Sequence, residues 1–190
     1  RNCIPIKEDA EYKTNLSPNT PTNRIITFML SRSRFLFILR YAFAYVERKQ
    51  ELADGTKVET LEKHIMRYQQ LFATFALQTK LSAGIKGGVI WHTQGSGKTA
   101  FAFYNVKCLT DFFAKRNTVA KFFFIVDRID LLEQSVDEFS ARGLMVQTVQ
   151  SRNDLMEKIK DNKPLYNPHG KPEIIVANIQ KFTEDHTPVI

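Results

Sequence analysis

Gly87-Gly88-Val89-Ile90-Trp91-His92-Thr93-Gln94-Gly95-Ser96-Gly97-Lys98-Thr99 is the stretch from which the fold can be read. Its apolar opening predicts a short buried strand, its middle a glycine loop, and its Gly-Lys-Thr ending the start of a helix. A nucleoside triphosphate needs those parts in that order. Gly95 and Gly97 let the backbone curl so that its N–H groups face phosphate oxygens. The helix start near Thr99 brings the positive end of its dipole to the same oxygens. Lys98 can reach the β- and γ-phosphates, and the Thr99 hydroxyl can ligate Mg2+. His92 stands where the strict P-loop pattern has its first glycine, a departure that helicase-type loops tolerate. The bland alternative is a Gly/Ser turn that happens to precede a Lys-Thr pair.

Working outward, the 190 residues have room for one domain and an appendage, and 43% hydrophobic residues suffice for a core. Cys3 and Cys108 are too few and too scattered for a disulfide framework or a zinc site, which fits a reducing, cytoplasmic setting. His64, His169 and His186 have no ligand-like spacing, which argues against a metal centre of their own. A net charge of +7, from 27 Lys and Arg against 20 Asp and Glu, suits an anionic partner such as nucleic acid and equally a generic basic surface. The most apolar run, Phe35 to Leu39, is followed at once by Arg40 and is too short to span a bilayer, so no membrane is expected. It reads as part of a buried helix.

In chain order, residues 1 to about 24 are polar and turn-rich, with a linker or surface loop over Asn15 to Pro21. Arg34 to about Arg48 reads as a helix with Phe35, Leu39, Ala42 and Val46 on one face, and Asp54-Gly55 as a turn. A second helix is expected from about Leu61 to Leu81, striped by Leu61, Ile65, Tyr68, Phe72 and Phe75. Arg67 and Gln70 share another face, which either reaches a nucleotide base or is simply solvated. Beyond the loop, Ala102, Val106, Leu109 and Phe113 stripe a helix, and Phe122 to Val126 reads as a central strand ending at Asp127-Arg128. Leu132, Val136 and Phe139 line the next helix, which Arg142-Gly143 ends; Leu144 to Val149 is the next strand. Ser151 to Asp154 caps a short helix carrying Leu155, Met156 and Ile159. After a loop with Pro164, Pro168, Gly170 and Pro172 comes a last strand over Glu173 to Ala177. Trp91 is expected in the core.

Strands alternating with helices imply an α/β fold, a parallel sheet flanked by helices. Ligands of such sheets bind at the carboxyl ends of the strands, where His92 to Thr99, Asp127-Arg128 and Asn178 to Phe182 should emerge together.

Four segments, in order, resemble the motor and restriction subunit of type I restriction–modification enzymes, a superfamily 2 helicase-like ATPase. Trp91 to Thr99 looks like its first helicase motif, including the Trp-His pair. Val126-Asp127-Arg128-Ile129-Asp130-Leu131-Leu132-Glu133-Gln134 resembles the next motif, with an Arg-to-Gln spacing one residue longer than in RNA helicases. Ile174 to Phe182 is similar to its Thr-Ile-Gln-Lys-Phe stretch, with Asn178 in place of Thr. Arg67-Tyr68-Gln69-Gln70-Leu71-Phe72-Ala73 resembles its adenine-recognising segment.

The likeness covers about residues 30 to 185. It implies a RecA-like P-loop NTPase fold, with residues 1–60 a linker and helical connection from an upstream nuclease domain. Residues 61–190 would be the N-terminal part of the first motor domain. It implies an ATP-dependent translocase on double-stranded DNA and, in the intact protein, a type I site-specific deoxyribonuclease working with methyltransferase (M) and specificity (S) subunits. By the resemblance, ATP is held by Arg67, Gln70, Thr93, Gln94, Gly95, Ser96, Gly97, Lys98 and Thr99. Gln70 bonds the adenine, Lys98 and Thr99 serve catalysis, and Thr99 holds Mg2+. Arg128, Gln180 and Lys181 would meet the DNA backbone. For Arg128 the other reading is an ion pair with Asp127 or Asp130; for Lys181, a solvated charge. Hydrolysis also needs an acidic metal partner, and no Asp-Glu-x-His run occurs before Ile190; Glu184-Asp185-His186 is a faint echo. The fragment is therefore expected to stop before the Walker B motif, to bind nucleotide weakly or not at all, and not to turn it over. Another superfamily 2 DNA or RNA helicase, or a nucleotide-binding module without turnover, are the competing readings.

Overall fold

The computed structural model describes residues 30–52, 54–160 and 172–182, leaving aside the side chains of 181 and 182. The expectations for the Asn15 to Pro21 linker, the Pro164 to Gly170 loop, Cys3, His169 and His186 lie outside those residues. In chain order the elements are helix α1 (Arg32–Tyr41), strands β1 (Phe43–Glu51) and β2 (Lys57–Ile65), helices α2 (Tyr68–Ser82) and α3 (Lys98–Ala114), strand β3 (Phe123–Val126), helix α4 (Ile129–Ser140), strand β4 (Met145–Thr148), helix α5 (Arg152–Lys160), strand β5 (Glu173–Asn178) and a 3-10 turn (Ile179–Phe182). By its contacts the chain divides into two units, Arg1–Phe43 and Ala44–Ile190.

Within the second unit, β3, β5 and β4 form a parallel sheet in that order, so the last strand returns to the middle. Its apolar run explains the placement: Ile174 to Asn178 are all buried, as a strand covered on both faces requires. Phe122 to Val126 is expected to be central, but among the described residues β3 lies at the edge of the sheet, and Ile125 is 47% exposed. Val149, Leu155, Ile175 and Ala177 form one core cluster with Phe123 packed against it. Phe139 of α4 stands edge-on to Phe124, ring centroids 5.2 Å apart. The α/β class with a parallel sheet and flanking helices is the one the alternation predicts.

The structure corrects the reading of residues 34 to 65. The helix stops at Tyr41 with Ala42 as its cap, and β1 begins at Phe43, with Ala44 and Val46 buried and Tyr45 and Glu47 exposed. That is a period of two, and it wins because β2 supplies a paired strand across the Asp54-Gly55 turn. Asp54 accepts the Thr56 N–H at 2.9 Å, and Gly55 takes φ +81°. Phe35, Leu36 and Leu39 of α1 are exposed rather than core. Leu61 and Ile65 fall in β2, exposed, so the expected long helix begins only at Tyr68. Its buried residues are Gln70, Leu71 and Thr74, not the Tyr68–Phe72–Phe75 stripe.

A half-buried ion cluster fastens the hairpin to α4. Arg48 meets the Glu138 carboxylate at 3.0 Å, Arg142 bonds the same carboxylate, and the Glu47 N–H donates to the Ala141 carbonyl at 2.9 Å. Burial pushes the Glu138 carboxyl up, and the hydrogen bonds from Arg142 and Arg48 outweigh it, holding the group below its usual range.

Candidate nucleotide site and strand-end rim

Gly95 and Gly97 take φ +73° and +79°, the left-handed conformation that glycine adopts without a Cβ clash. Between them the chain turns sharply: the Ser96 N–H donates to the Thr93 carbonyl at 3.3 Å, and Lys98 Nζ donates to the same carbonyl at 3.2 Å. Gly97 caps α3, whose first-turn N–H groups have no partner inside the helix. The Ser96 hydroxyl is buried without a hydrogen-bond partner. The ring of His92, which replaces the first glycine of the strict pattern, sits 5.4 Å from the Phe101 ring on α3. Thr93, Gln94 and Lys98 are exposed, and Thr99 is half-buried.

Gln70 ties α2 to this loop. Its Oε1 accepts the Arg67 N–H at 2.9 Å, while its Nε2 donates to the Gly97 carbonyl at 2.9 Å and the Ser96 carbonyl at 3.3 Å. Arg67 Nη1 donates to the Gly95 carbonyl at 3.4 Å. With 3% of its surface exposed, Gln70 is not part of a solvated face. A Cβ on Gly97 would stand 2.8 Å from Gln70 Nε2, so the missing side chain is what admits the amide. Thr74 holds the inner turn of α2 through its hydroxyl, which donates to the Gln70 carbonyl at 2.9 Å. The periodicity of the apolar residues concealed this inward polar face. The only sequence signal for it was the pairing of Arg67 with Gln70 at helical spacing.

The expected strand ahead of the loop does not form among the described residues. Residues 87–92 lie outside regular structure, and Val89 and Trp91 are 87% and 88% exposed. A strand exists only through a ladder, and no described strand pairs with this segment, so Trp91 is a surface residue rather than core.

The strand-end rim carries the remaining predicted residues. Val126 lies opposite Asn178 in the ladder, so Asp127-Arg128 and Ile179-Gln180-Lys181 leave the sheet side by side. Arg128 pairs with Asp130, both 64% exposed, and this hydrogen-bonded pair holds the Asp130 carboxyl below its usual range. Asn178 Oδ1 accepts the Gln180 N–H at 2.8 Å. An Asn side chain makes that turn bond readily, and a Thr hydroxyl makes the same type of bond more weakly. The loop and the rim are distinct groups of residues. Arg67 and Gln70 belong with Gly95 to Lys98; Arg128 belongs with Asn178 to Lys181. Among the described residues no cluster of His, Cys, Asp and Glu could hold a metal ion, and no helix is long and apolar enough to cross a membrane.

A parallel α/β sheet with a glycine loop opening a helix defines a P-loop-type nucleotide-binding protein. Comparison with known proteins narrows that class. The family model for the SWI2/SNF2 ATPase matches residues 69–190, and the chain belongs to that family. A putative type I restriction enzyme endonuclease subunit, MjaVIIP, from Methanocaldococcus jannaschii is 36% identical over 83% of this chain and 15% of its own length. The C-terminal part of the putative MpnIIP endonuclease subunit of Mycoplasma pneumoniae is 34% identical over 52% of this chain and 51% of its own. The Staphylococcus aureus SauCOLORF180P endonuclease subunit is 32% identical over 63% of the chain and 12% of its own length. The resemblance to the endonuclease subunits of type I restriction enzymes thus holds, and the chain spans from about an eighth to about half of these relatives.

Proposed function

We propose that the chain is the nucleotide-binding and DNA-facing part of a type I restriction endonuclease subunit, one that couples ATP hydrolysis to movement on double-stranded DNA. The observation that carries this reading is the Gln70 amide lodged against the Ser96 and Gly97 carbonyls. It joins the Arg67 to Ala73 segment to the phosphate loop in space, although 26 and 27 residues separate the bonded groups.

The loop fits a triphosphate. Two left-handed glycines, first-turn N–H groups without intrahelical partners and a buried, unpartnered Ser96 hydroxyl form a cradle of donors. Thr93 to Thr99 would wrap the phosphates, Lys98 would leave the Thr93 carbonyl for the β- and γ-phosphates, and Thr99 would ligate Mg2+. The metal, when bound, spreads the charge that develops on the phosphate oxygens. Arg67 and Gln70 would meet the adenine, with Gln70 giving up a loop carbonyl to do so. Arg128, Gln180 and Lys181 would hold the DNA backbone without reading sequence. Recognition of the site belongs to M and S partner subunits. Alone, these residues bind nucleotide weakly and do not turn it over, since the sequence holds no Asp-Glu-x-His run.

The test is ATP hydrolysis by the intact subunit, with and without long duplex DNA and the M and S subunits. Stimulation by duplex DNA only with those partners, lost in Lys98→Ala, is the expected result. Stimulation by RNA or single strands would instead make it a general helicase, and absence of hydrolysis under every condition a binding module.

A further inference from the structure

We propose that His92 is a positioning residue of the phosphate loop: its imidazole, packed on the Phe101 ring, holds the loop's approach in place while Lys98 moves to the nucleotide. The inference rests on the reading of the loop as a triphosphate site.

The approach has little else to hold it. Residues 87–92 join no ladder among the described residues, so no strand pairing fixes where the loop begins. The far side of the loop is well tied. Gln70 donates to the Ser96 and Gly97 carbonyls, and Arg67 donates to that of Gly95. On the near side the Thr93 carbonyl accepts two bonds, from the Ser96 N–H at 3.3 Å and from Lys98 Nζ at 3.2 Å. The second is given up when Lys98 turns to a phosphate. The near side then keeps the Ser96 bond and the contact between His92 and Phe101.

Phe101 is a fixed platform. Gly97 is the N-cap of α3, so Phe101 is the fourth helical residue, and its N–H donates to the Gly97 carbonyl at 2.9 Å. Gln70 holds that same carbonyl, also at 2.9 Å. An apolar residue just ahead of an N-cap often packs on this fourth position and sets the angle at which the chain enters the helix. Here the residue ahead of the cap is Ser96, whose hydroxyl is buried within the loop. His92 fills the role instead. The two rings lie 5.4 Å apart between centroids and are tilted by 41°, within the range of favourable aromatic pairs, and both residues are half-buried. Among the described residues no hydrogen bond or ion pair draws the imidazole elsewhere. A glycine at this place, as in the strict pattern, would leave the Phe101 ring without that cover.

The experiment titrates the intact subunit with a fluorescent ATP analogue and follows hydrogen exchange of the nucleotide-free protein by mass spectrometry. The variants are His92→Ala, His92→Gln and His92→Phe, with Lys98→Ala as the control. The worth of one aromatic pair corresponds to about 3- to 10-fold in affinity. His92→Ala and His92→Gln should weaken nucleotide binding by that factor and speed exchange in peptides covering residues 93–99. His92→Phe keeps a ring and loses both nitrogens, and should match the wild type in both readouts. Wild-type affinity and exchange in His92→Ala, beside weakened binding in Lys98→Ala, overturn the inference and leave the triphosphate site standing. Binding by His92→Phe as weak as by His92→Ala also overturns it, since the nitrogens rather than the ring would then matter. Unchanged affinity in Lys98→Ala overturns the triphosphate reading itself, and the inference with it.

Discussion

Replacing Gly97 by Ala tests the link between α2 and the loop. The backbone there sits at φ +79°, where an L-residue costs about 1–2 kcal/mol. The new Cβ would also stand 2.8 Å from Gln70 Nε2, closer than real Cβ atoms come, so the amide must move. Moving it forfeits the bonds to the Ser96 and Gly97 carbonyls, at about 0.5–1.5 kcal/mol each. Gly97→Ala should therefore cost about 2–5 kcal/mol. Gly95→Ala, at φ +73° with open space around its Cβ, should cost only the backbone share of about 1–2 kcal/mol. The assay is urea unfolding of a double-mutant cycle with Gln70→Ala. In the Gln70→Ala background the amide is gone, and Gly97→Ala should cost no more than Gly95→Ala. A coupling energy of at least about 1 kcal/mol is expected. If Gly97→Ala is equally costly in both backgrounds, the close approach is not what excludes a side chain, and Gln70 is not the latch.

Other outcomes follow from single environments. Glu138→Gln should destabilise by about 2–3 kcal/mol in urea unfolding, because it leaves the Arg142 side chain, 6% exposed, without its counter-charge. Glu138 is held below the usual carboxylate range, so its contribution is full above that range and fades as pH falls through the lowered value. Part of the stability loss of the wild type on acidification should accordingly be absent in Glu138→Gln. Burial pushes the Cys108 thiol up to about 11, and Gln78 Nε2 lies 2.9 Å from its sulfur. Alkylation of Cys108 near pH 8, followed by peptide mass spectrometry, should therefore wait on unfolding; ready labelling of the folded chain would contradict that burial. Trp91 is the chain's single Trp and is 88% exposed. Its fluorescence should be red-shifted and quenched by acrylamide nearly as freely as free tryptophan, and a blue-shifted, shielded emission would put it in a core.

The glycine loop, the capping of α5 by Ser151 and Asp154, and the alternation that makes a parallel α/β sheet were legible in the sequence because local chemistry dictates them. A left-handed turn selects glycine, an exposed helix start selects a short polar side chain, and a strand buried on both faces must be apolar throughout. Three matters were settled by partners distant in the chain. Phe43 to Glu51 and Lys57 to Ile65 became strands because they pair with each other, although helical spacing can be read across part of each. β5 took the middle of the sheet and β3 its edge, a choice made by strand order that no single strand encodes. Gln70 turned inward, against the apolar stripe of its helix, because two loop carbonyls needed a donor and Gly97 left room for one. Periodicity reports which residues prefer to leave water. Only the folded chain decides which polar groups have partners waiting inside.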